Sequence, residues 1–206
     1  MKTLTVYIDY KSPYAHLAKG PVYSLADEVG VTLDWLPYDL NIPSFLGSAR
    51  LDPVTGQVVE ENRTAHQWRR VKYSYMDCRR QARKQGIVIR GTQKIWNSRI
   101  ALIGLLYAKA EGEAVLRGYQ DRVFERFWQR ELDIEDPAVV ATVLAEAGAD
   151  AGGFAAYVEA AGPAALDAVC RDAEEKGVFG VPSFILDGEL FWGSEHLPDI
   201  RAKLAA

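Results

Sequence analysis

The chain carries its strand signals at its two ends and almost none between them. Residues 2 to 9 alternate Leu4, Val6 and Ile8 with Thr3, Thr5 and Tyr7, the period of two expected of a strand. Val31 to Pro37 repeats the type with Val31, Leu33 and Trp35. Between them Ser12-Pro13 marks a helix start, a hydroxyl suited to the N-cap followed by proline at the first helical position, and Gly30 marks its end. At the other end Val181 to Leu186 reads as a strand entered through Pro182, Asp187-Gly188 as a hairpin turn, Glu189 to Trp192 as the return strand, and Glu195 to Leu204 as a closing helix.

The 113 residues from 64 to 176 read as helices. Over Thr64 to Gln85 the apolar positions Trp68, Val71, Tyr75, Cys78 and Ala82 follow alternating spacings of three and four, which lays them along one stripe. Further helices are expected at about 97–111, 113–131, 137–147, 151–161 and 163–176. A β-α-β half and a β-β-α half, each too small for a sheet of its own, are completed as one mixed sheet if the helical block is an insertion between them. The expected class is α/β, a thioredoxin-like fold built from 1–63 and 177–206 and interrupted by an all-helical insertion at 64–176. With 206 residues and 49% hydrophobic content the chain can bury the core this needs. Residues 39 to 63, with Pro43, Gly47, Pro53 and Gly56 and no sustained period, read as a long loop, a candidate wall or lid of a site.

Charge separates along the chain. The net value of −4 conceals eleven Lys and Arg against one acid over residues 63–99, and 13 against 27 elsewhere. A basic helical block can mean nucleic acid, but these residues are dispersed around the helix, which suits a solvated face or, beside a cleft, an anionic small substrate; together with the net negative charge this leaves no nucleic-acid partner expected. Cys78 and Cys170 lie 92 positions apart, outside any C-x-x-C or paired-cysteine zinc spacing, and a reduced, cytoplasmic protein is the expectation. His16, His66 and His196 are scattered, so no metal site is expected. The N-terminus runs straight into a strand pattern without a secretory signal, and the longest apolar run, Ile100 to Ala108, is short of the roughly 20 residues that cross a bilayer, so neither export nor a membrane is expected.

Three separated segments carry a family resemblance: Tyr7-Ile8-Asp9-Tyr10-Lys11-Ser12-Pro13-Tyr14-Ala15-His16, Gly177 to Phe184, and Phe191-Trp192-Gly193-Ser194-Glu195. Together they resemble the DsbA-like superfamily, and within it the glutathione-dependent branch of 2-hydroxychromene-2-carboxylate isomerases and kappa-class glutathione transferases. In redox members the first helix opens with C-x-x-C; here Ser12, Pro13, Tyr14 and Ala15 stand at those positions. With neither sulfur present, thiol-disulfide exchange has no attacking or resolving thiol at this site. What remains is a hydroxyl at a helix N-terminus, where backbone N–H groups and the helix dipole favour an anion. The same Ser12 also reads simply as an N-cap.

The resemblance implies glutathione as cofactor, with Ser12 as the catalytic residue stabilising its thiolate. It implies that Val181 and Pro182, at the position of a cis-proline facing the first helix, grip the tripeptide, that Trp192 borders it, and that Gly193, Ser194 and Glu195 receive its γ-glutamyl end. Read without the family, Pro182 equally suits a trans proline opening an edge strand, and Ser194 and Glu195 equally suit a helix cap. The family acid at that last position is Asp, so Glu195 reaches one methylene further. For the substrate, a small aromatic carboxylate, the resemblance implies Tyr14, Asn41, Lys72, Tyr73 and Asn97, although the proline usual before the Asn97-Ser98 segment is absent. The implied activity is glutathione-dependent isomerisation by thiolate addition and elimination. A kappa-like transferase or peroxidase, and a redox-silent peptide-binding protein, are the alternatives. The family also allows a homodimer.

Overall fold

A computed structural model describes residues 2–205. Strand β1 (Thr3–Ile8) leads through helix α1 (Pro13–Val29) to β2 (Thr32–Pro37), which pairs with β1 in parallel from Thr3↔Thr32 to Ile8↔Pro37. Strands β5 (Ser183–Leu186) and β6 (Glu189–Trp192) form a hairpin, and β5 lies antiparallel to β1 through Tyr7↔Ser183 and Val6↔Phe184. The sheet order is therefore β2-β1-β5-β6, so the two ends of the chain complete one sheet. Local chemistry agrees at each joint. The Ser12 side chain caps α1 above Pro13, Gly30 ends it at φ +69°, and Asp187 and Gly188, both at positive φ, make the tight turn of the hairpin.

As the central pair of the sheet, β1 and β5 are covered on both faces. Tyr7, read as an outward residue from its alternation with Val6 and Ile8, is fully buried for that reason. A strand buried on both faces loses the in-out contrast that the period of two depends on.

The helical block comprises α3 (Ala65–Gln85), α4 (Arg99–Ala110), α5 (Glu113–Trp128), α6 (Pro137–Glu146), α7 (Phe154–Glu159) and α8 (Ala161–Glu175). Its stripe on α3 buries Val71, Cys78 and Ala82 and half-buries Trp68 and Tyr75. Between α4 and α5 the packing is close enough to require glycine: a Cβ on Gly104 would lie 2.8 Å from the Tyr119 ring, whose hydroxyl donates to Ala101 O at 2.8 Å. The block is anchored to the sheet unit by Trp128 Nε1, which donates to Tyr10 O at 3.1 Å, and by the Tyr10 ring packed on Tyr119 and Phe124.

Three segments differ from expectation. Residues 39–63 contain a short helix α2 (Ile42–Leu46) and a hairpin of β3 (Ala49–Leu51) and β4 (Val58–Glu61) with a register shift, elements of three to five residues that are too short to show a period. The helix expected at 151–161 is a 3₁₀ turn at Ala151–Gly153 followed by α7, and the closing helix likewise begins with a 3₁₀ turn at Ser194–His196 before α9 (Leu197–Ala205). Among the described residues, no helix is long and apolar enough to cross a membrane.

Candidate active site

The site is prepared by a turn that Asp9 builds. Its backbone carbonyl accepts Ser12 N–H at 3.0 Å, one carboxylate oxygen accepts Lys11 N–H at 3.0 Å, and the other accepts Leu40 N–H at 2.8 Å. This is the local hydrogen bonding that Asp supplies at a strand end, and it presents Ser12 at the head of α1. Asp9 is fully buried, and burial pushes its carboxyl upward against the opposing pull of Lys11. Lys11 Nζ lies 3.1 Å from Asp9, 2.7 Å from Asp39 and 3.0 Å from Ser98 Oγ. Burial alone would lower its pKa, but the two carboxylates outweigh it and the ammonium holds its proton more tightly than a free lysine. Arg99 extends the network to Asp39 and Asp167. Removing one member of such a buried pair costs about 3–5 kcal/mol, because the partner charge is left alone.

Ser12 is 5% exposed. Its Oγ accepts Ala15 N–H at 3.3 Å and donates to Val181 O at 3.5 Å, the long limit of a hydrogen bond, so its proton is free to be redirected to a better acceptor. Pro13 has no N–H, and Ala15 N–H is spent on Ser12, which leaves Tyr14 N–H as the donor of the first turn without a partner among the described residues. The Val181–Pro182 peptide bond is cis. Pro182 O accepts Gly193 N–H at 2.9 Å, which ties the 193–195 segment to this turn.

These residues border a cleft of about 520 Å³. Ser12, Pro13, Tyr14 and Val181 form one end, with Phe179 and Trp192, ring centroids 4.9 Å apart, at its rim. Leu40, Ile42, Phe45 and Leu46 from the 39–63 segment form one wall, and Val71, Tyr75, Ile95 and Trp96 line it from the helical block. Of the long segment expected as a wall or lid, Leu40, Ile42, Phe45, Leu46 and Arg63 line the cleft, and the β3–β4 hairpin stands off it. Basic groups enter through Lys11, Arg63, Arg70 and Lys94, and among the described residues no Asp or Glu lines the cleft.

The expected site residues divide accordingly. Ser12, Tyr14, Val181 and Trp192 meet at the cleft, with Pro182 and Gly193 joined just behind it. Glu195 folds its carboxylate over Gly193, which has φ +101° and whose missing Cβ leaves that space; Ser194 opens the 3₁₀ turn beyond it without capping it. Lys72, Tyr73, Asn41 and Asn97 stand off the lining. On α3 the residues facing the cleft are Arg70, Val71, Ser74 and Tyr75, and at about 100° per residue Lys72 and Tyr73 turn to the outside, where Tyr73 is 58% exposed. Asn41 caps α2 through Ser44 N–H, and exposed Asn97 bonds Glu135 through its own N–H.

His16 is packed in the core on Phe124 with ring centroids 5.1 Å apart. Burial, with Lys19 adding to it, pushes its pKa down to about 3, so the imidazole is neutral. Cys78 is fully buried, and burial pushes its thiol up to about 12, which makes it inert. Burial and neighbouring Cys78 also hold the Tyr14 phenol in its protonated form, from which it donates to Asp77 at 3.3 Å. Asp9 stands within the first family-like segment but shows no role until the fold brings Leu40 to it, and Arg63, Arg70 and Lys94 carry no signal in the sequence beyond the basic block. Among the described residues no cluster of side chains suited to a metal ion is present.

The family described as a DSBA-like thioredoxin domain matches residues 3–205. The chain is 30% identical over 194 residues to a 2-hydroxychromene-2-carboxylate isomerase of Pseudomonas putida, covering 93% of this chain and 88% of that protein. It is 24% identical over 208 residues to the protein of the same name from Sphingobium xenophagum, 98% of each chain being covered. A solved structure of a selenomethionine 2-hydroxychromene-2-carboxylate isomerase shares the fold with a TM-score of 0.74 at 24% identity, over 98% of this chain and 94% of that one. A thioredoxin-type sheet closed by both chain ends, a helical block between them and a match along almost the whole length agree, and the chain belongs to the DSBA-like thioredoxin domain family.

Proposed function

We propose that the chain is a glutathione-dependent isomerase acting on an aromatic carboxylate of the 2-hydroxychromene-2-carboxylate class. The observation that carries this reading is a sulfur-free helix terminus facing the Val181–Pro182 turn: Ser12 Oγ sits beside Val181 O, and Ala15 stands three positions on where a second sulfur would resolve a disulfide. The substrate class comes from the name shared by the curated relatives, and an apolar, aromatic cleft with basic side chains and no lining acid suits it.

The residues present fit a thiol tripeptide. A serine hydroxyl whose present hydrogen bond is long and a Tyr14 N–H without a partner among the described residues, at the head of a 17-residue helix, offer two donors to a sulfur anion. Ser12, Val181, Pro182, Trp192, Gly193, Ser194 and Glu195 would hold the cofactor. Bound there, glutathione supplies a sulfur nucleophile that adds to a conjugated double bond, lets the bond rotate while single, and leaves again, so none is consumed.

The protein's share is electrostatic. The α1 dipole places roughly half a positive charge at Ser12, and donors fixed before the reaction cost no reorganisation during it. Ala15 N–H occupies a lone pair of Ser12 Oγ and so directs its proton away from the helix. The Asp9–Lys11–Asp39 network ties the turn down, and the Phe179 and Trp192 rings offer an apolar rim beside it. With His16 neutral and away from the cleft, no histidine base takes part.

Calorimetric titration with glutathione tests the reading. Saturable binding to the wild-type chain is expected, weakened about tenfold or more in Ser12→Ala, a loss of ~1.4 kcal/mol. Absence of binding to the wild type at millimolar glutathione overturns it. Net glutathione consumption with accumulation of a conjugate would assign a transferase instead, and peptide binding without glutathione binding would assign the redox-silent alternative.

A further inference from the structure

We propose that Arg70 is the specificity-determining residue of the cleft, the group that anchors the carboxylate of an aromatic substrate. The inference rests on the isomerase reading of this cleft and goes beyond it by naming the anchor.

Four cations reach the cleft, and three are already engaged. Lys11 is shared between Asp9, Asp39 and Ser98. Lys94 pairs with Glu135 and sits 4.3 Å over the Trp96 ring. Arg63 donates its Nε to Leu46 O at 3.0 Å and lies 4.9 Å over Trp68. Arg70 alone of the four has no hydrogen bond, ion pair or ring contact among the described residues, and no acid lines the cleft to neutralise it. A guanidinium keeps its charge under all ordinary conditions and offers a planar fork that matches a carboxylate in two parallel bonds.

The helix phase selects this residue over its neighbours. Arg70 shares the cleft face of α3 with Val71, Ser74 and Tyr75, whereas Arg69 and Lys72 point elsewhere. The placement also orients the substrate. Asp77, which receives the Tyr14 hydroxyl beside the α1 terminus, lies seven positions after Arg70, about 10 Å along the helix axis. A carboxylate held at Arg70 therefore lies away from Ser12, the ring rests against Tyr75 and Trp96, and the conjugated double bond is left at the Ser12 end.

The test is calorimetric titration of trans-cinnamate and of its uncharged analogue, cinnamamide, into the wild-type chain and the Arg70→Gln, Arg70→Lys and Arg69→Gln variants. Cinnamate affinity is expected to fall about tenfold or more in Arg70→Gln, to recover in part in Arg70→Lys and to stay at the wild-type level in Arg69→Gln, while cinnamamide binds the wild type and Arg70→Gln equally. Where isomerisation is measured, Arg70→Gln raises KM more than it lowers kcat. Arg70 is exposed, so these variants are expected to keep the fold, which thermal melts check. Equal cinnamate affinity in Arg70→Gln and wild type, no preference of the wild type for cinnamate over cinnamamide, or no cinnamate binding to the wild type overturns the inference. Failure to bind glutathione overturns the isomerase reading and leaves the cinnamate result standing.

Discussion

The Ser12 hydroxyl meets the Val181 carbonyl at 3.5 Å across 169 positions of sequence, so the site is assembled by the sheet and not by any local segment. The register explains the meeting. With Tyr7 opposite Ser183 on antiparallel strands, two further steps bring Val181 level with Asp9, the residue whose carbonyl fixes Ser12 N–H. One half of the site comes from each end of the chain.

Trp192 holds its place at the cleft because residue 180 is glycine. A Cβ there would lie 2.7 Å from Trp192 Nε1, and the backbone cannot yield because Gly180 O accepts Ser183 Oγ at 2.7 Å. Gly180→Ala is therefore expected to push the half-exposed indole off the rim. Glutathione affinity should fall about tenfold, ~1.4 kcal/mol, with the melting temperature nearly unchanged. Calorimetry beside a thermal melt checks both halves, and a large drop in melting temperature would place the residue in the core instead.

His16 makes folding sensitive to acid. Its pKa is pushed down to about 3 in the fold by burial and by Lys19, with Asp121 opposing, against an ordinary 6.5 in the unfolded chain. The unfolded chain binds one more proton between those values. The contribution is thus whole above about pH 6.5 and declines toward pH 3 by up to ~1.4 kcal/mol per pH unit. In His16→Phe this part of the slope disappears. Urea unfolding at pH 7, 6 and 5 should show a smaller loss in the variant than in the wild type; parallel losses would contradict the assignment.

Gly104→Ala tests the close approach of α4 and α5. The added methyl meets the Tyr119 ring, which is fully buried and bonded to Ala101 O. Overpacking of this kind costs about 1–3 kcal/mol. A lower urea midpoint with an unchanged slope is expected, and a midpoint equal to that of the wild type would show that the interface yields.

Much of this is legible in the sequence. Ser12-Pro13, Gly30 and Asp187-Gly188 announce their joints because caps and tight turns depend on single residues, and the α3 stripe announces its buried face because 21 residues sustain a period. What escaped did so for physical reasons. The elements of 39–63 are too short to repeat, and Tyr7 lies in a strand covered on both faces. Lys72 and Arg70 differ by two positions, which on a helix is about 200° of rotation, enough to separate the outside from the cleft. The role of Asp9 depends on Leu40, and that of Lys11 on Asp39 and Ser98, contacts that only the folded chain brings together.

The central claim, that Ser12 and the α1 terminus hold a borrowed thiolate, is tested most directly by the ultraviolet absorbance of bound glutathione titrated against pH. The wild-type chain is predicted to show thiolate absorbance at neutral pH, with an apparent thiol pKa well below the ~8.5 of a free cysteine side chain. In Ser12→Ala that pKa should move back toward the free value, beside a loss of about 1 kcal/mol in stability from the missing cap. A bound thiol that ionises like free glutathione in the wild type, or with the same pKa in both proteins, would contradict the account.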